Sequence, residues 1–279
     1  MTDASMKARV KNLAQQTGLS PQIVLQMHLL ERLLERFSKS RYANNVVLKG
    51  GMLIASMAGI AQRTTMDMDT TVTGMPVDEE HVRKIFEEVC SLSGVDPISF
   101  ELSRIEPIRE EDEYPGFRVH VAAQFGKVRA SLKVDITTGD SLVPGALTYP
   151  YSPILGGDNI PALSYAPETV LAEKFETIIR RGELNGRARD FYDVVLMTRL
   201  YHDSLDWEAL ADAIRATSQR RGTEQALRSW QETLSAVRSS PYINETIWAP
   251  YAKANTYAAS VTIDDVVDTC IYIAQRTRL

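Results

Sequence analysis

The chain has 279 residues, 44% of them hydrophobic and 24% charged, with a formal net charge of −5. This length can bury a full core in one large domain or two of ordinary size; no apolar run approaches the roughly 20 residues that span a bilayer, and the acidic balance excludes a basic nucleic-acid coat. The amino-terminal stretch has no apolar signal core and the two cysteines, Cys90 and Cys270, cannot build a zinc site alone, so the expectation is a cytoplasmic protein with no membrane association.

Ser20-Pro21 marks a helix start, with serine as N-cap and proline at the first helical position. Leu25, Leu29, Leu33 and Phe37 then recur every four residues, predicting an amphipathic helix that ends near Ser40. Val46-Val47-Leu48 reads as a short buried strand stopping at Lys49-Gly50-Gly51, and 52–60 as a short apolar helix. Met66-Asp67-Met68-Asp69 alternates apolar and acidic residues, the period of a strand with two different faces. A helix is expected over 78–92. Strands are expected over 98–108, 117–121 and 128–136, the last two joined through Phe125-Gly126-Lys127 as antiparallel neighbours. In the last of them Val128, Ala130, Leu132, Val134 and Ile136 face one way, and Arg129, Ser131, Lys133 and Asp135 the other.

After Pro161 the pattern turns helical. Ala166-Pro167 opens a helix closed by Gly182, and further helices are predicted over 187–201, 206–219, 223–238 and 262–276. Thr262-Ile263-Asp264-Asp265 resembles a capping box. The expected fold class is α+β, with a sheet-containing part over 1–163 and a helical part over 164–279.

Asp67 and Asp69 carry the clearest chemical signal. Two apart on a strand, they share a face with Cα atoms about 6.6 Å apart, and their mutual repulsion is relieved by a hard cation such as Mg²⁺. A solvated turn is the plainer alternative, since Asp-x-Asp is common by chance. Gly50-Gly51, between a strand and a helix, lets backbone N–H groups approach a phosphate, or else simply makes a tight turn. Lys49 precedes the glycines and the longer P-loop pattern is absent. Asp135 adds a third carboxylate that can ligate a metal or deprotonate a hydroxyl, or can be an ordinary surface acid. Lys174 shares a helix stripe with Val170 and Ile178, so it either snorkels outward or meets an anion. Asp190, on a stripe with Val194, Met197 and Tyr201, and Asp193 beside it are candidate partners, as are nucleotide phosphates. Arg180, Arg181, Arg187 and Arg189 form a local basic cluster, either solvated helix ends or a phosphate-binding face.

Together these features resemble the AbiEii/AbiGii toxin family of nucleotidyltransferases, which includes the MenT toxins. The resemblance rests on four blocks in order: Val46-Val47-Leu48-Lys49-Gly50-Gly51-Met52-Leu53, Arg63-Thr64-Thr65-Met66-Asp67-Met68-Asp69, Tyr165-Ala166-Pro167-Glu168-Thr169-Val170-Leu171-Ala172-Glu173-Lys174-Phe175, and Arg187-Ala188-Arg189-Asp190-Phe191-Tyr192-Asp193. It implies a DNA polymerase β-like nucleotidyltransferase core over 1–163, followed by a helical bundle over 164–279 that contributes Lys174 and Asp190. It further implies Mg²⁺, or Mn²⁺, on Asp67 and Asp69, to which the reading of the residues adds Asp135 as a third carboxylate. Gly50 and Gly51 would hold the triphosphate, with Lys49 beside them a further nucleotide-binding candidate; Lys174 would contact the phosphates, Arg63 and Thr65 would contact phosphate or support the turn, and Asp190 would complete the site. Gly51 stands where many nucleotidyltransferases carry serine. The resemblance also implies a toxin of a toxin–antitoxin or phage-defence module, with a separately encoded antitoxin. Such a toxin would transfer NMP to the 3′ end of tRNA, which Arg180, Arg181, Arg187 and Arg189 would contact. Two alternatives stay open: a protein or small-molecule hydroxyl as acceptor, and a non-catalytic NTP-binding module. His28, His81, His120 and His202 show no ligand-like spacing.

Overall fold

The computed structural model describes residues 3–94, 96–108 and 116–279. These form two compact units, each made of two chain segments. The first comprises the chain to Gly139 together with Leu147–Ser164, and the second Asp140–Ala146 together with Tyr165–Leu279.

The first unit opens with helix α1 (Asp3–Thr17), which the sequence patterning left without its own prediction. Helix α2 (Pro21–Lys39) begins at the expected cap, where the Ser20 hydroxyl accepts a hydrogen bond from the Ile23 N–H at 3.3 Å. Its inward stripe includes Leu29, Leu30, Leu33 and Phe37, all essentially inaccessible to solvent. At roughly 1.5–3 kcal/mol for each side chain fully removed from water, this face holds the helix in place. Phe37 meets Phe86 of helix α4 (Glu79–Ser91) edge to face, with ring centroids 5.4 Å apart. Arg36, buried on α2, donates to Asp96 and to the Ile98 carbonyl, so its charge is paired inside the core.

Seven strands form one mixed sheet: β1 (Val46–Lys49), β2 (Met68–Val72), β3 (Ser99–Ile108), β4 (Gly116–Phe125), β5 (Val128–Thr138), β6 (Ala146–Tyr151) and β7 (Ile160–Tyr165), in the spatial order β3-β4-β5-β2-β1-β7-β6. Helix α3 (Gly50–Ala58) follows β1 directly. The β4–β5 hairpin turns on Gly126 and Lys127, with Gly126 at φ +56°, and Phe125 lies opposite Val128. Strand β1 runs antiparallel to β2, while β2 runs parallel to β5 and β1 parallel to β7. Val119, Val121, Leu132, Val134 and Ile136 are wholly buried on one face, as the alternation in 128–136 predicts.

Three expectations change. Strand β2 begins at Met68, so Asp67 lies in the bend before it, and the strand continues through Thr70, Thr71 and Val72. Gly50 and Gly51 belong to the first turn of α3 rather than to a separate loop before Met52. The helical part begins at Pro167, not after Pro161, because 160–165 is a sheet strand. That strand and β6 escaped notice because prolines at 150 and 161 interrupt their patterns.

The second unit is helical apart from its short first segment. It holds α5 (Pro167–Arg181), α6 (Ala188–Leu200), α7 (Trp207–Arg221), α8 (Glu224–Arg228), α9 (Trp230–Ser239), α10 (Ala249–Ala254) and α11 (Ile263–Arg276). The predicted helix over 223–238 is broken at Ser229 into α8 and α9, and a π-helical turn over Tyr242–Trp248 precedes α10. Helix α11 carries the expected capping box, with Thr262 and Asp265 bonding each other's backbone N–H groups. Leu171, Phe175, Ile178, Phe191, Val194, Leu210, Ile214, Val266, Cys270 and Ile273 form its core. Both cysteines are free thiols; burial pushes the Cys90 thiol up to about 12 and raises that of Cys270 as well. No helix among the described residues is long and apolar enough to cross a membrane.

Candidate active site

Sheet pairing lines up four charged residues in the first unit. Lys49 on β1 lies opposite Asp69 on β2, Asp69 opposite Asp135 on β5, and Asp135 opposite Arg118 on β4. Paired residues on adjacent strands project from the same face, about 5 Å apart, so the row reads cation, acid, acid, cation. The opposite face of the same strands is the aliphatic core, which leaves the charged row no alternative side.

Each acid already has a protein donor. The Arg118 guanidinium grips both oxygens of Asp135, Nε to Oδ1 at 2.8 Å and Nη2 to Oδ2 at 2.7 Å. The Asp135 carboxylate, and to a smaller degree Asp67, raise the pKa of Arg118 above its ordinary range. Asp67 accepts a hydrogen bond from the Thr65 hydroxyl at 2.6 Å. Asp69 lies against the start of α3 and accepts from the Gly51 N–H at 3.4 Å. Lys49 is buried and donates from Nζ to the Thr137 hydroxyl at 2.9 Å, two residues along β5 from Asp135.

The glycine pair is explained by close approach. Gly50 adopts φ +65°, and a Cβ there would stand 2.1 Å from Oδ2 of Asp69. A Cβ on Gly51 would stand 2.9 Å from the Thr65 hydroxyl and 3.3 Å from Nη2 of Arg63. Arg63 and Thr65 are both buried, and the Arg63 guanidinium also donates to the Thr64 carbonyl. These two side chains therefore pack under the helix start, and Thr65 brings a hydroxyl close to the position where a serine at 51 would carry one.

In the second unit, Lys174 on α5 reaches two acids of α6, with Nζ 2.6 Å from Oδ1 of Asp190 and 3.0 Å from Oδ2 of Asp193. Asp190 is 95% buried, yet its Oδ2 has no hydrogen-bond partner. An unmet carboxylate oxygen at that depth is costly unless something else satisfies it. At the end of α5 and the start of α6, Arg180, Arg187 and Arg189 are exposed and Arg181 is half-buried. Arg180 pairs with Glu176 at 3.2 Å. Burial, and then the charges of Arg187 and Arg180, lower the pKa of Arg181. That local surplus of positive charge suits an anion.

The structure thus gathers Lys49, Gly50, Gly51, Arg63, Thr65, Asp67, Asp69 and Asp135 around the central strands of the first unit's sheet, and Lys174 with Asp190 in the second unit. Arg118 and Asp193 are engaged as closely as any of these. Arg118 was within reach of sequence reasoning: counting outward from a two-residue turn at 126–127 places 118 opposite 135. Asp193 shows on the helical wheel of α6, one turn from Asp190.

For a divalent cation, the donor set fits in chemistry rather than as a closed cage. Carboxylate oxygens are the ligands Mg²⁺ favours, and Mg²⁺ keeps water and phosphate oxygens in its remaining positions. Among the described residues no three His, Cys, Asp or Glu side chains already close around one point. Without side chains at Gly50 and Gly51 the Asp69 carboxylate comes directly against the backbone at the start of α3.

The structure is similar to that of JHP933 from Helicobacter pylori, with a TM-score of 0.51 at 14% identity over 93% of this chain and 95% of that one. It is similar also to a candidate nucleotidyltransferase from H. pylori, with a TM-score of 0.52 at 14% identity over 93% and 96% of the two chains. At that identity the likeness concerns the fold alone. The profile of the nucleotidyl transferase AbiEii toxin, of type IV toxin–antitoxin systems, matches residues 32–267. The chain belongs to that family, whose members are paired with a separate antitoxin. No curated protein matches the sequence.

Proposed function

We propose that this enzyme moves NMP from an NTP to the 3′ end of a tRNA, releasing pyrophosphate and so blocking translation in the cytoplasm until its antitoxin counters it. The observation that carries the reading is the pairing of Asp69 with Asp135 beside the Gly50-Gly51 helix start, with Asp67 two residues upstream. In this reading Asp67, Asp69 and Asp135 hold Mg²⁺, for which Mn²⁺ can substitute. Bound by these acids, such an ion would supply neutralisation of charge on the triphosphate and the leaving pyrophosphate. The α3 N-terminus, with its backbone N–H groups and dipole, receives the phosphates, and Asp69 yields its place on Gly51 to them. Lys49, held to Thr137, adds positive charge beside these acids, while Arg63 and Thr65 keep the turn in shape. Lys174 and Asp190 are the second unit's proposed catalytic residues, with Lys174 exchanging one of its two carboxylates for a nucleotide phosphate. The new bond joins the acceptor's hydroxyl oxygen to the α-phosphorus as the bond to pyrophosphate breaks and the hydroxyl proton passes to solvent.

The test is to incubate the full chain with Mg²⁺, each of four α-labelled NTPs and bulk tRNA, beside the Asp67→Ala/Asp69→Ala double variant. Label should enter tRNA with the wild type and fall by at least ~10³-fold in the variant. No label in RNA, with both proteins folded, refutes the tRNA reading and directs the search to protein or small-molecule hydroxyls.

Arg180, Arg181, Arg187 and Arg189 are the proposed tRNA contact. Reversing Arg187 and Arg189 to Glu should weaken tRNA labelling by roughly tenfold or more and flatten its salt dependence. A rate and salt slope equal to wild type would remove these residues from the contact.

A further inference from the structure

The Arg118–Asp135 pair is unusual in its setting. An arginine clamped on an acid at a sheet surface is commonly worth little to stability. This one stands in the row of carboxylates assigned to the metal and takes up both oxygens of one of them, at 2.8 and 2.7 Å. Its field extends to Asp67 as well. The three acids together would carry three negative charges, and strand register makes Arg118 the cation that faces them from the β4 side. A guanidinium in a two-bond fork fixes the plane of the carboxylate it holds. The side chain of Asp135 is 16% exposed and that of Arg118 38%, so the carboxylate is settled in the sheet while the guanidinium can swing toward water.

We propose that Arg118 is a positioning residue that stands in for a divalent cation, holding Asp135 in the cation-free enzyme and competing with the metal for it. The proposal rests on the metal reading above. It deepens that reading by assigning the site a built-in counter-charge, so that metal binds weakly until the triphosphate brings further negative charge. A purely structural arginine would have the opposite signature, because losing it could only loosen the acid row and weaken metal binding.

Direct Mn²⁺ binding to the full chain without nucleotide, read from the electron paramagnetic resonance signal of free Mn²⁺, tests this independently of catalysis. Arg118→Ala should bind Mn²⁺ roughly tenfold more tightly than wild type, the scale expected for removing a unit charge several ångströms away at a half-exposed site. Arg118→Lys, which keeps the charge, should stay within about threefold of wild type but lose turnover, since lysine cannot reproduce the fork. Asp67→Asn should weaken binding and so locate the ion at these acids. If Asp67→Asn weakens binding while Arg118→Ala leaves it unchanged or loosens it, the competition is overturned and the metal site stands. If Asp67→Asn has no effect, the metal reading fails, and this inference fails with it. Thermal unfolding of each variant, expected close to wild type because Arg118 is partly exposed, confirms that folded proteins are compared.

Discussion

Gly50 carries two constraints that no other residue type meets. Its φ of +65° is strained for any side chain, and a Cβ there would occupy the space of the Asp69 carboxylate. Gly50→Ala is therefore expected to lower stability by about 2 kcal/mol or more and to reduce nucleotidyl transfer by at least ~10²-fold, since the acid must move. Thermal unfolding and single-turnover transfer would show both; a variant with wild-type melting and wild-type rate would mean that Asp69 does not need its place against α3. Gly51 is constrained by space alone, because Thr65 and Arg63 lie under it. Lys174 illustrates the same point with charge. A lysine on an apolar stripe demands an anion, and here it has two, Asp190 and Asp193.

At the scale of elements, α2 does more than bury leucines. Glu31 on its inner side is completely shielded from solvent, where it accepts from the Tyr151 hydroxyl at 3.2 Å and from the Ile154 N–H at 3.1 and 3.2 Å. His28, one turn earlier, is also buried, with Nδ1 3.8 Å from the same carboxylate. This acid ties the helix to the stretch between β6 and β7, which has little regular structure of its own. Burial raises the Glu31 pKa above the ordinary 4.5, outweighing the hydrogen bonds and charges that lower it. The folded protein thus holds this proton more tightly than the unfolded chain does. The associated stability is complete below the unfolded value, near pH 4.5, and is lost as pH rises through the elevated folded value. Glu31→Gln removes the titration and keeps one acceptor. Denaturant unfolding at pH 5 and pH 8 should show the variant gaining on the wild type toward pH 8; a gap that does not change with pH would contradict the raised pKa.

At the scale of the whole molecule, the two units interleave along the chain. Residues 140–146 leave the sheet unit, belong to the helical one, and are followed by the return of 147–164 to the sheet. Within the helical unit, the Tyr165 hydroxyl donates to Asp140 at 2.9 Å and the Thr169 hydroxyl to the Val143 carbonyl at 2.5 Å. A fragment starting at Tyr165 would lose both partners and leave buried polar groups unmet, at roughly 1–3 kcal/mol each. All three tryptophans, Trp207, Trp230 and Trp248, lie in this unit and report on it alone. Urea unfolding followed by tryptophan fluorescence should give fragment 165–279 a distinctly lower midpoint than the full chain. Coincident midpoints would show that the 140–146 segment is dispensable.

The sequence by itself determined the features that depend on neighbours along the chain. These are the capped helices α2, α5 and α11, the two-faced strand β5, the antiparallel pairing of β4 with β5, and the four ordered blocks that mark the family. Caps, periods of 3.6 and 2, and tight turns are short-range physics, readable from a few residues at a time. The tertiary structure decided the rest. Parallel pairing of β2 with β5 sets Asp69 beside Asp135 across more than sixty residues of chain, and β7 joins the sheet beside β1 despite its proline. No local rule specifies which distant strand becomes a neighbour, because that choice is made by burying the aliphatic face of the whole sheet at once. The same burial left Asp69 and Asp135 together on the opposite face.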